Sequence, residues 1–554
     1  MLKNSGTYDP RRLSSERRWV LGFAALVALF TTIPYMVGYA AQGVDWRFSG
    51  FVFGVEDGNT YIAKMLAGSA GAWLFRTPYT ASPQAGVVMY LPYILLGKLA
   101  APPALHEQLI ALLQLFRIAA IFLYILATYD FLSFFVSDVR VCRYGLALVT
   151  LGGGLGWVLA LLGHSEWVGS LPLDFISPES FGFLGLYGIA HLALARALLL
   201  WTLLAYLRAV SPEAKVSTVR QALKVGVLWL LAGLAQPLAA PVIGAVIGLH
   251  LFALTVWQLG RRQRGLATDW PAWRRLVRLA VLSGVLPGLF ILYNLWAVLT
   301  DPFLRIWSAQ NIIRSPSPLH YLLAYGLILP FVILGARRLL EAEPWKGWLL
   351  AAWVLAAPWL VYAPTNLQRR LPEGVWVALV ALALCSVDSP QVSTTRRFRR
   401  FQLITLLAFP TTLLLFTGGI LAAQHPSLPV FQPATEAATF DSLAFPSKAF
   451  MGFGPVVMSA YDTGNALPAW APVRVVIGHG PESASLAELQ PQVSAFYSQD
   501  ITDSARIEMI HRLDIRFVVW GPGERALGDW DPRQAPYLRV IEENGDYAVL
   551  EVLR

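Results

Sequence analysis

The fold is decided by the apolar run WVLGFAALVALFTTIPYMVGYAA, which occupies residues 19–41 of this 554-residue chain. No charged side chain interrupts this run. A helix rises about 1.5 Å per residue, so a run of this length can cross the hydrocarbon core of a bilayer, which is about 30 Å thick. We therefore expect a membrane-spanning helix here.

Further apolar runs follow along the chain, and the composition agrees with them. Hydrophobic residues make up 56% of the chain and charged residues 14%, against about 45–50% and about 25% in soluble domains. We predict a mainly α, polytopic transmembrane helical protein with about eleven spans. The predicted spans are 19–41, 107–135, 143–163, 184–207, 223–240, 241–258, 277–299, 319–336, 347–362, 373–387 and 402–423.

Two stretches interrupt this regular pattern. Residues 223–258 are too long for one crossing and contain Gln236 and Pro237 near the middle, so we divide them into two short spans. Residues 86–101 are apolar but short, and they contain Pro92. We predict that this segment lies at the outer surface or re-enters the membrane without crossing it.

The basic residues indicate the orientation. They give a formal net charge of +9 and cluster between apolar runs, which argues against nucleic-acid binding. With a cytoplasmic N-terminus, the inner segments hold 24 Lys and Arg residues and the outer loops eight. We predict a multi-pass protein of the cell (inner or plasma) membrane whose C-terminal domain is extracytoplasmic. The outer basic residues are Arg47, Lys64, Arg76, Lys98, Arg305, Arg314, Arg369 and Arg370.

The composition changes after about Ala423. We predict a transmembrane domain over 1–423 and a small extracytoplasmic α/β domain over 424–554, joined through a Pro-rich linker. Asn544-Gly545 between two strand-like runs is a strong hairpin signal. The other predicted elements are strands in VRVVIGH (473–479) and RFVVWG (516–521) and helices near 484–498 and 502–513.

The first outer loop carries three carboxylates beside the membrane surface, in VDWRFSGFVFGVEDGNTYIAKM (44–65). Adjacent carboxylates near an apolar wall can have a raised pKa, which suits a general base. Asp45, Glu56 and Asp57 are therefore candidate catalytic residues. A structural interpretation stays open, because Glu56 and Asp57 can simply begin a surface helix whose dipole favours acidic residues.

An acidic pair in the first outer loop, followed by surface helices and a span containing LLQLFRI (112–118), resembles the GT-C superfamily of membrane glycosyltransferases. That superfamily includes the protein O-mannosyltransferases and aminoarabinose transferases, and the resemblance covers the general plan of residues 19–423. The chain also resembles a bacterial group of multispanning glycosyltransferase-like proteins. The similar strings are EDGNTYIAKMLAGSAGAWLFRTPYT (56–80), GGGLGWVLALLG (152–163), NLQRRLPEG (366–374) and RVVIGHGPES (474–483).

The resemblance implies inverting transfer of a hexose or pentose from a polyprenyl-phosphate donor to a saccharide, lipid or protein acceptor on the outer face of the cell envelope. It implies that a first-loop carboxylate, Asp57 or Glu56 with Asp45 as runner-up, activates the acceptor hydroxyl. The leaving polyprenyl phosphate needs cations near the bilayer surface. The outer pair Arg369 and Arg370 suits this role, although such a pair can also contact ordinary lipid phosphates.

Other polar residues are candidates for the walls of the site. Arg117 and Arg196 lie inside apolar runs, where a charge is costly and usually paired, so either could reach the lipid phosphate or a buried carboxylate. Sugars are bound by carboxylates and amides beside aromatic side chains, which the outer loops 164–191 and 300–318 provide. The candidate cleft residues in these loops are Asp174, Glu179, His191, Arg305 and Arg314.

The sequence leaves metal binding open and argues against redox chemistry. Some GT-C enzymes bind a divalent cation, so Mg²⁺ or Mn²⁺ is an open alternative. The two cysteines, Cys142 and Cys385, are far apart, which argues against a disulfide framework or a thiolate metal site. The GHG around His479 is a weak match to an anion-binding loop, and we assign no catalytic residue to the C-terminal domain.

Two other functions compete with glycosyl transfer. A transporter or flippase of a lipid-linked saccharide would also use many spans and outer arginines, but the sequence contains no visible repeat and few charges at mid-membrane positions. The other alternative is a non-catalytic membrane scaffold whose C-terminal domain binds a partner. It predicts that substitutions of the first-loop carboxylates have no effect.

Overall fold

The computed structural model describes residues 10–211, 217–388, 394–444 and 454–553, which are mostly helical. The helices are α1 (Pro10–Ala41), α2 (Val55–Ser69), α3 (Leu91–Gly97), α4 (Leu105–Leu132), α5 (Val139–Leu151), α6 (Gly156–Leu161), α7 (Leu173–Ile176), α8 (Phe183–Gly188), α9 (Ala190–Val210), α10 (Thr218–Ala235), α11 (Ala239–Gln263), α12 (Trp270–Thr300), α13 (Pro302–Gln310), α14 (Pro318–Tyr325), α15 (Leu329–Ala342), α16 (Pro344–Val361), α17 (Val375–Cys385), α18 (Thr394–Thr405), α19 (Pro410–Gln424), α20 (Ala434–Ser442), α21 (Tyr461–Ala466), α22 (Leu486–Tyr497), α23 (Asp503–Arg512) and α24 (Pro522–Arg525). Short 3₁₀ helices cover Gln368–Arg370, Leu406–Ala408, Leu467–Ala469 and Pro532–Gln534.

Seven helices in the described ranges are long and apolar enough to cross a membrane, or eight if the bent pair α14–α15 forms one span. The protein is therefore a multi-pass membrane protein, but the predicted count of about eleven spans is not confirmed. The seven are Ser15–Ala41, Leu105–Leu132, Ala190–Val210, Thr218–Ala235, Ala239–Gln263, Trp270–Thr300 and Thr395–Gln424.

Three of the remaining predicted spans are broken or short, whereas nearly all of 347–362 lies in the unbroken 18-residue helix α16. The predicted span 143–163 divides into α5 and α6 around Gly152–Gly154, because glycine residues destabilise a helix. The predicted span 319–336 bends by 76° between α14 and α15. Helix α17 has only 11 residues, all of them buried in the bundle. A run of apolar residues therefore marks burial here without marking a complete crossing.

Two predicted irregularities are present. The stretch 223–258 divides into α10 and α11, as predicted, and Gln236 and Pro237 lie at the break. The stretch 86–101 contains only the seven-residue helix α3, which is too short to cross a bilayer. It packs against α2 so closely that a Cβ atom on Gly97 would lie 1.8 Å from the Met65 carbonyl oxygen. Glycine at this position lets the two surface helices contact through their backbones.

The C-terminal region forms the predicted α/β domain. Its five-stranded mixed sheet has the order β4-β3-β5-β7-β6, in which β3 is parallel to β4 and β5 and the other pairs are antiparallel. The predicted hairpin at Asn544-Gly545 joins the last two strands. The strands of this sheet are β3 (Val456–Met458), β4 (Arg474–Val475), β5 (Ile515–Trp520), β6 (Leu538–Asn544) and β7 (Tyr547–Val552).

The Pro-rich linker ties this domain to the first outer loop. Strand β1 (Trp46–Phe48) pairs antiparallel with β2 (Phe431–Pro433) of the linker. Ala63 of α2 and Tyr79 belong to the same buried apolar cluster as Val457 of β3. The first outer loop and the C-terminal domain therefore lie on the same side of the helical bundle and share a core.

Candidate active site

A cavity of about 890 Å³ lies where the helical bundle meets the C-terminal domain. Its walls come from α2, from the loops that precede α9 and α17, from α13, and from a turn of the C-terminal domain, GHGPES (478–483), which we call the GHGPES loop. Sequence segments more than 400 residues apart thus meet in one concave site, which is the usual form of a ligand-binding site. The predicted site residues that line it are Glu56, Asp57, Glu179, His191, Arg369 and Arg370.

Asp57 lies in the first turn of α2, and its side chain is 58% exposed inside the cavity. Its Oδ1 atom lies 3.3 Å from Nε2 of His479. Oδ2 has no hydrogen-bond partner within the described ranges. Burial alone would raise the pKa of Asp57. The hydrogen bond and charge of His479, together with the charges of Arg370 and Lys64, lower that pKa below its usual value. The raised pKa that the sequence suggested for this carboxylate is therefore wrong for Asp57, because the cations beside it outweigh burial. The carboxylate is ionised at neutral pH and can accept a proton.

Glu56 is held from the C-terminal domain. Its Oε1 atom accepts hydrogen bonds from the Tyr461 hydroxyl at 2.5 Å and from the Gly480 backbone N–H at 3.3 Å. The two neighbouring carboxylates therefore differ in their partners, because Asp57 meets a ring nitrogen and Glu56 meets a phenol and an amide. Both remain exposed to the cavity.

The opposite wall of the cavity is basic. Arg370 Nε lies 3.8 Å from Oε1 of Glu179, whose side chain is buried. Burial alone would lower the pKa of Arg370. Glu179, Asp57 and two neighbouring tyrosines raise that pKa above its usual value. Arg370 thus stays a cation while its side chain remains partly exposed. Arg369 lines the same wall, and its backbone N–H donates to the Ile313 carbonyl.

His191 lies at the start of α9, at the floor of the cavity. Its Nδ1 atom is 2.7 Å from the hydroxyl of the fully buried Tyr93, whose ring stacks on Tyr61. A buried hydroxyl needs an acceptor, and no other hydrogen bond of this hydroxyl occurs within the described residues. The Tyr93 hydroxyl therefore donates to Nδ1, which leaves the proton of neutral His191 on Nε2.

Three predicted site residues lie outside the cavity because they have other partners. Asp45 sits in an exposed turn, where its carbonyl accepts the Ala434 N–H. Arg117 is buried and donates to the hydroxyls of Thr31 and Thr32 and to Gln114. Asp174 is also buried, and its carboxylate accepts the Thr411 hydroxyl.

The positions of the other predicted cations also show why they do not take part in the cavity. Arg305 and Arg314 are exposed and do not line the cavity, whereas the neighbouring residues Gln310 and Asn311 do. Arg196, which the sequence left open, forms a buried ion pair with Glu373 at 2.5 Å. Its role is therefore structural, since the two charges pair with each other inside the bundle.

Sequence reasoning missed the contribution of the C-terminal domain to the cavity. Tyr461, His479 and Glu482 line it, together with Gln236 at the break between α10 and α11. The sequence did single out RVVIGHGPES as an unusual string and Gln236 as a helix breaker. Nothing local in either segment indicates which distant residues it will contact.

The GHGPES loop is fixed against the first outer loop and α13. Lys64 Nζ and Glu482 Oε1 form an ion pair at 2.8 Å, with side chains 0% and 3% exposed. The Thr77 hydroxyl donates to the other oxygen of Glu482. Gln310 of α13 donates to the carbonyls of Pro481 and Ser483. These contacts hold His479 and Gly480 in place beside the acidic pair.

The described residues contain no group of three or more His, Cys, Asp and Glu side chains arranged to hold a metal ion. Glu56, Asp57 and His479 are close, but their contacts are with one another, Tyr461 and Gly480. The residues present therefore do not fit the divalent cation that the resemblance left open, and we derive no step through a metal.

Comparisons with solved structures identify the fold. An oligosaccharyltransferase from Archaeoglobus fulgidus, AglB, in complex with an inhibitory peptide and a dolichol-phosphate superposes with a TM-score of 0.52 at 14% identity, covering 90% of this chain and 69% of AglB. The arabinofuranosyltransferase AftD from Mycobacteria superposes with a TM-score of 0.52 at 14% identity, covering 97% of this chain and 40% of AftD. The chain has the GT-C fold.

The GT-C fold of this chain agrees with the resemblance found in the sequence. At 14% identity, the likeness concerns the fold and carries no residue roles. No model of a known protein family and no curated protein sequence matches the chain.

Proposed function

We propose that this protein is a membrane glycosyltransferase that moves one sugar from a polyprenyl-phosphate donor to a hydroxyl acceptor, with inversion at the anomeric carbon. The observation that supports this most is the meeting of an ionised carboxylate, Asp57, with the cations Arg369 and Arg370 in one open cavity. Both GT-C neighbours are named as glycosyltransferases, and the AglB structure contains a dolichol-phosphate.

In this mechanism Asp57 is the general base. Its free Oδ2 takes the proton of the acceptor hydroxyl as that oxygen forms a bond to the anomeric carbon. The bond between the anomeric carbon and the phosphate oxygen breaks, and polyprenyl phosphate leaves with the electron pair. Arg370 and Arg369 stabilise the negative charge that develops on the phosphate, since guanidinium groups can donate two hydrogen bonds to its oxygens.

Glu56 has a different role in this proposal. Its Oε1 atom is engaged by Tyr461 and Gly480, which fixes the start of α2 relative to the C-terminal domain. We assign the proton transfer to Asp57 because the charge of Arg370, a proposed phosphate ligand, acts on its carboxylate. His191, with a proton on Nε2, is placed to donate to the donor phosphate or sugar at the cavity floor.

The proposal is tested by turnover of the purified protein in proteoliposomes. The donors are short-chain polyprenyl-phosphate monosaccharides that carry hexoses or pentoses, and the acceptors are simple alkyl glycosides, lipids and peptides. We expect release of polyprenyl phosphate and formation of a glycosylated acceptor. Movement of the donor lipid between leaflets without product would contradict the proposal and favour a flippase.

Binding of the leaving group, polyprenyl phosphate, can be tested without an acceptor. Arg370→Ala is expected to weaken binding of polyprenyl phosphate to the protein in nanodiscs by about 10–100-fold, because hydrogen bonds to a charged group contribute about 1.5–3 kcal/mol. Scintillation proximity or thermal-shift titration measures this. Arg314→Ala is the matched control, since Arg314 is an exposed arginine of the same outer surface outside the cavity. Equal losses in both variants would show a general charge effect and contradict a phosphate site at Arg370.

A further inference from the structure

We infer that His479 is a positioning residue for the candidate base, so that the C-terminal domain supplies the hydrogen bond that orients Asp57 toward the acceptor. The inference rests on the function proposed above and extends it to a domain to which the sequence assigned no part in the reaction. His479 itself touches neither donor nor acceptor in this account.

The contacts of the His479 imidazole ring indicate one role, which is a hydrogen bond to Asp57. Nε2 of His479 lies 3.3 Å from Oδ1 of Asp57, and the His479 side chain is only 10% exposed. Its Nδ1 atom is buried and has no hydrogen-bond partner in the described part of the chain. A carboxylate accepts hydrogen bonds and cannot donate them when ionised. The Nε2–H group therefore donates to Asp57, and this is the one hydrogen bond of the ring among the residues that the structure describes.

The backbone around His479 is held rigidly. The Ser483 hydroxyl oxygen accepts hydrogen bonds from the backbone N–H groups of Gly478 and His479, and the Ser483 N–H donates to the His479 carbonyl at 2.8 Å. The buried ion pair between Glu482 and Lys64 fixes the same loop to α2, the helix that carries Asp57. The imidazole and the carboxylate are thus anchored to a common frame.

Asp57 needs such a partner because its side chain is more than half exposed. An exposed carboxylate can rotate between several orientations, and a base that is misplaced by about 1 Å can lose about a hundredfold in rate. With Oδ1 held by His479, Oδ2 has no hydrogen-bond partner among the described residues and stays available to an acceptor in the cavity that Asp57 lines. The hydrogen bond therefore selects the orientation in which proton transfer from an acceptor hydroxyl is direct.

A purely structural role for His479 makes different predictions. If the ring only fills space beneath the loop, an apolar side chain of similar size replaces it and a smaller polar one does not. If the ring positions Asp57, the donor group at Nε2 is what matters. Glutamine places an amide N–H near the position of Nε2, so it is the conservative replacement, and phenylalanine keeps ring volume without a donor.

The test compares His479→Phe and His479→Gln by steady-state kinetics with the best donor found in the turnover assay. We expect His479→Phe to lower kcat about 10–100-fold with KM within about twofold, because a base contributes about 10²–10⁴-fold and would be only partly misplaced. We expect His479→Gln to recover most of that loss. A His479→Phe enzyme with wild-type kcat, beside an inactive Asp57→Asn enzyme, would overturn the inference and leave the proposed function intact.

The matched control is His511→Phe. His511 is an exposed histidine of α23 in the same domain and does not line the cavity. We expect wild-type kcat and KM from this variant. An equal kcat loss at His511 would indicate general disturbance of the domain and would contradict a specific role for His479.

A second measurement needs no turnover. The thermal stabilities of the Asp57→Ala, His479→Phe and doubly substituted full-length proteins form a double-mutant cycle. Because each substitution removes the same contact, we expect the midpoint shift of the double variant to be smaller than the sum of the two single shifts. Additive shifts would mean that the two side chains do not interact, which would overturn the inference even if no donor in the panel reacts.

Discussion

Asp57→Asn is expected to lower turnover by about 10²–10⁴-fold, which is the range that a general base contributes. The amide keeps the size and shape of the carboxylate but cannot take a proton from the acceptor hydroxyl. Folding should be unaffected, because the side chain is 58% exposed. The measurement is release of polyprenyl phosphate in proteoliposomes, with protein amount and thermal midpoint checked in parallel.

Two further variants are needed to interpret the Asp57→Asn result. Asp45→Asn is the matched control, because Asp45 is an exposed first-loop carboxylate outside the cavity and we expect full activity. Glu56→Gln retains an oxygen that can accept from Tyr461 and Gly480, so we expect a smaller loss than at Asp57. Full activity of Asp57→Asn and Glu56→Gln, separately and together, would rule out the acidic pair as the source of catalysis.

Lys64→Met is expected to destabilise the protein by about 3–5 kcal/mol, because removing one partner of a buried ion pair leaves the other charge uncompensated. Glu482 would lose its ion-pair partner while its side chain is 3% exposed. Removing both charges with Lys64→Met/Glu482→Met should cost less than the single change for the same reason. The thermal midpoint and protease resistance of the C-terminal domain measure both effects.

The control for this prediction is an exposed ion pair of the same domain. Arg525 NH2 lies 3.6 Å from Asp546 Oδ1, and the side chains are 40% and 81% exposed. Arg525→Met should therefore cost less than about 1 kcal/mol. Losses of equal size at Lys64 and Arg525 would contradict the conclusion that burial makes the Lys64–Glu482 pair more important for stability than an exposed ion pair.

The same pair predicts a direction for the pH dependence of stability. Burial alone would raise the pKa of Glu482, but Lys64, His479 and Thr77 lower it below the usual value. A carboxyl with a depressed folded-state pKa stabilises the protein above its unfolded value of about 4.3, and that contribution is lost as the pH falls through the folded pKa. The difference between wild type and Lys64→Met should thus shrink toward acidic pH.

The sequence predicted the parts of the site that depend on local signals. Charge asymmetry placed Asp57 and the arginine pair in outer loops, and these residues do line one cavity. The helix break at Gln236-Pro237 and the short, non-crossing segment 86–101 followed from proline and length. These features depend on helix geometry and membrane partition, which act on neighbouring residues.

The parts that sequence reasoning missed depend on contacts between distant segments. Arg117 looked functional because a charge in an apolar run is costly, yet threonine hydroxyls bind it inside the bundle. Asp174 looked functional because carboxylates beside aromatic side chains bind sugars, yet it is buried and accepts the Thr411 hydroxyl. His479 was given no catalytic role and Tyr461 was not singled out, because their partners lie more than 400 residues away along the chain. No local pattern specifies which surface of the C-terminal domain packs on α2.

The most direct test of the central claim is an experimental structure of the protein in nanodiscs with polyprenyl phosphate bound. We expect the phosphate in the cavity, within hydrogen-bond distance of Arg370 or Arg369, with the Asp57 carboxylate facing the space that the sugar would occupy. A phosphate bound elsewhere on the bundle, with the cavity closed off from the lipid, would contradict the proposed function.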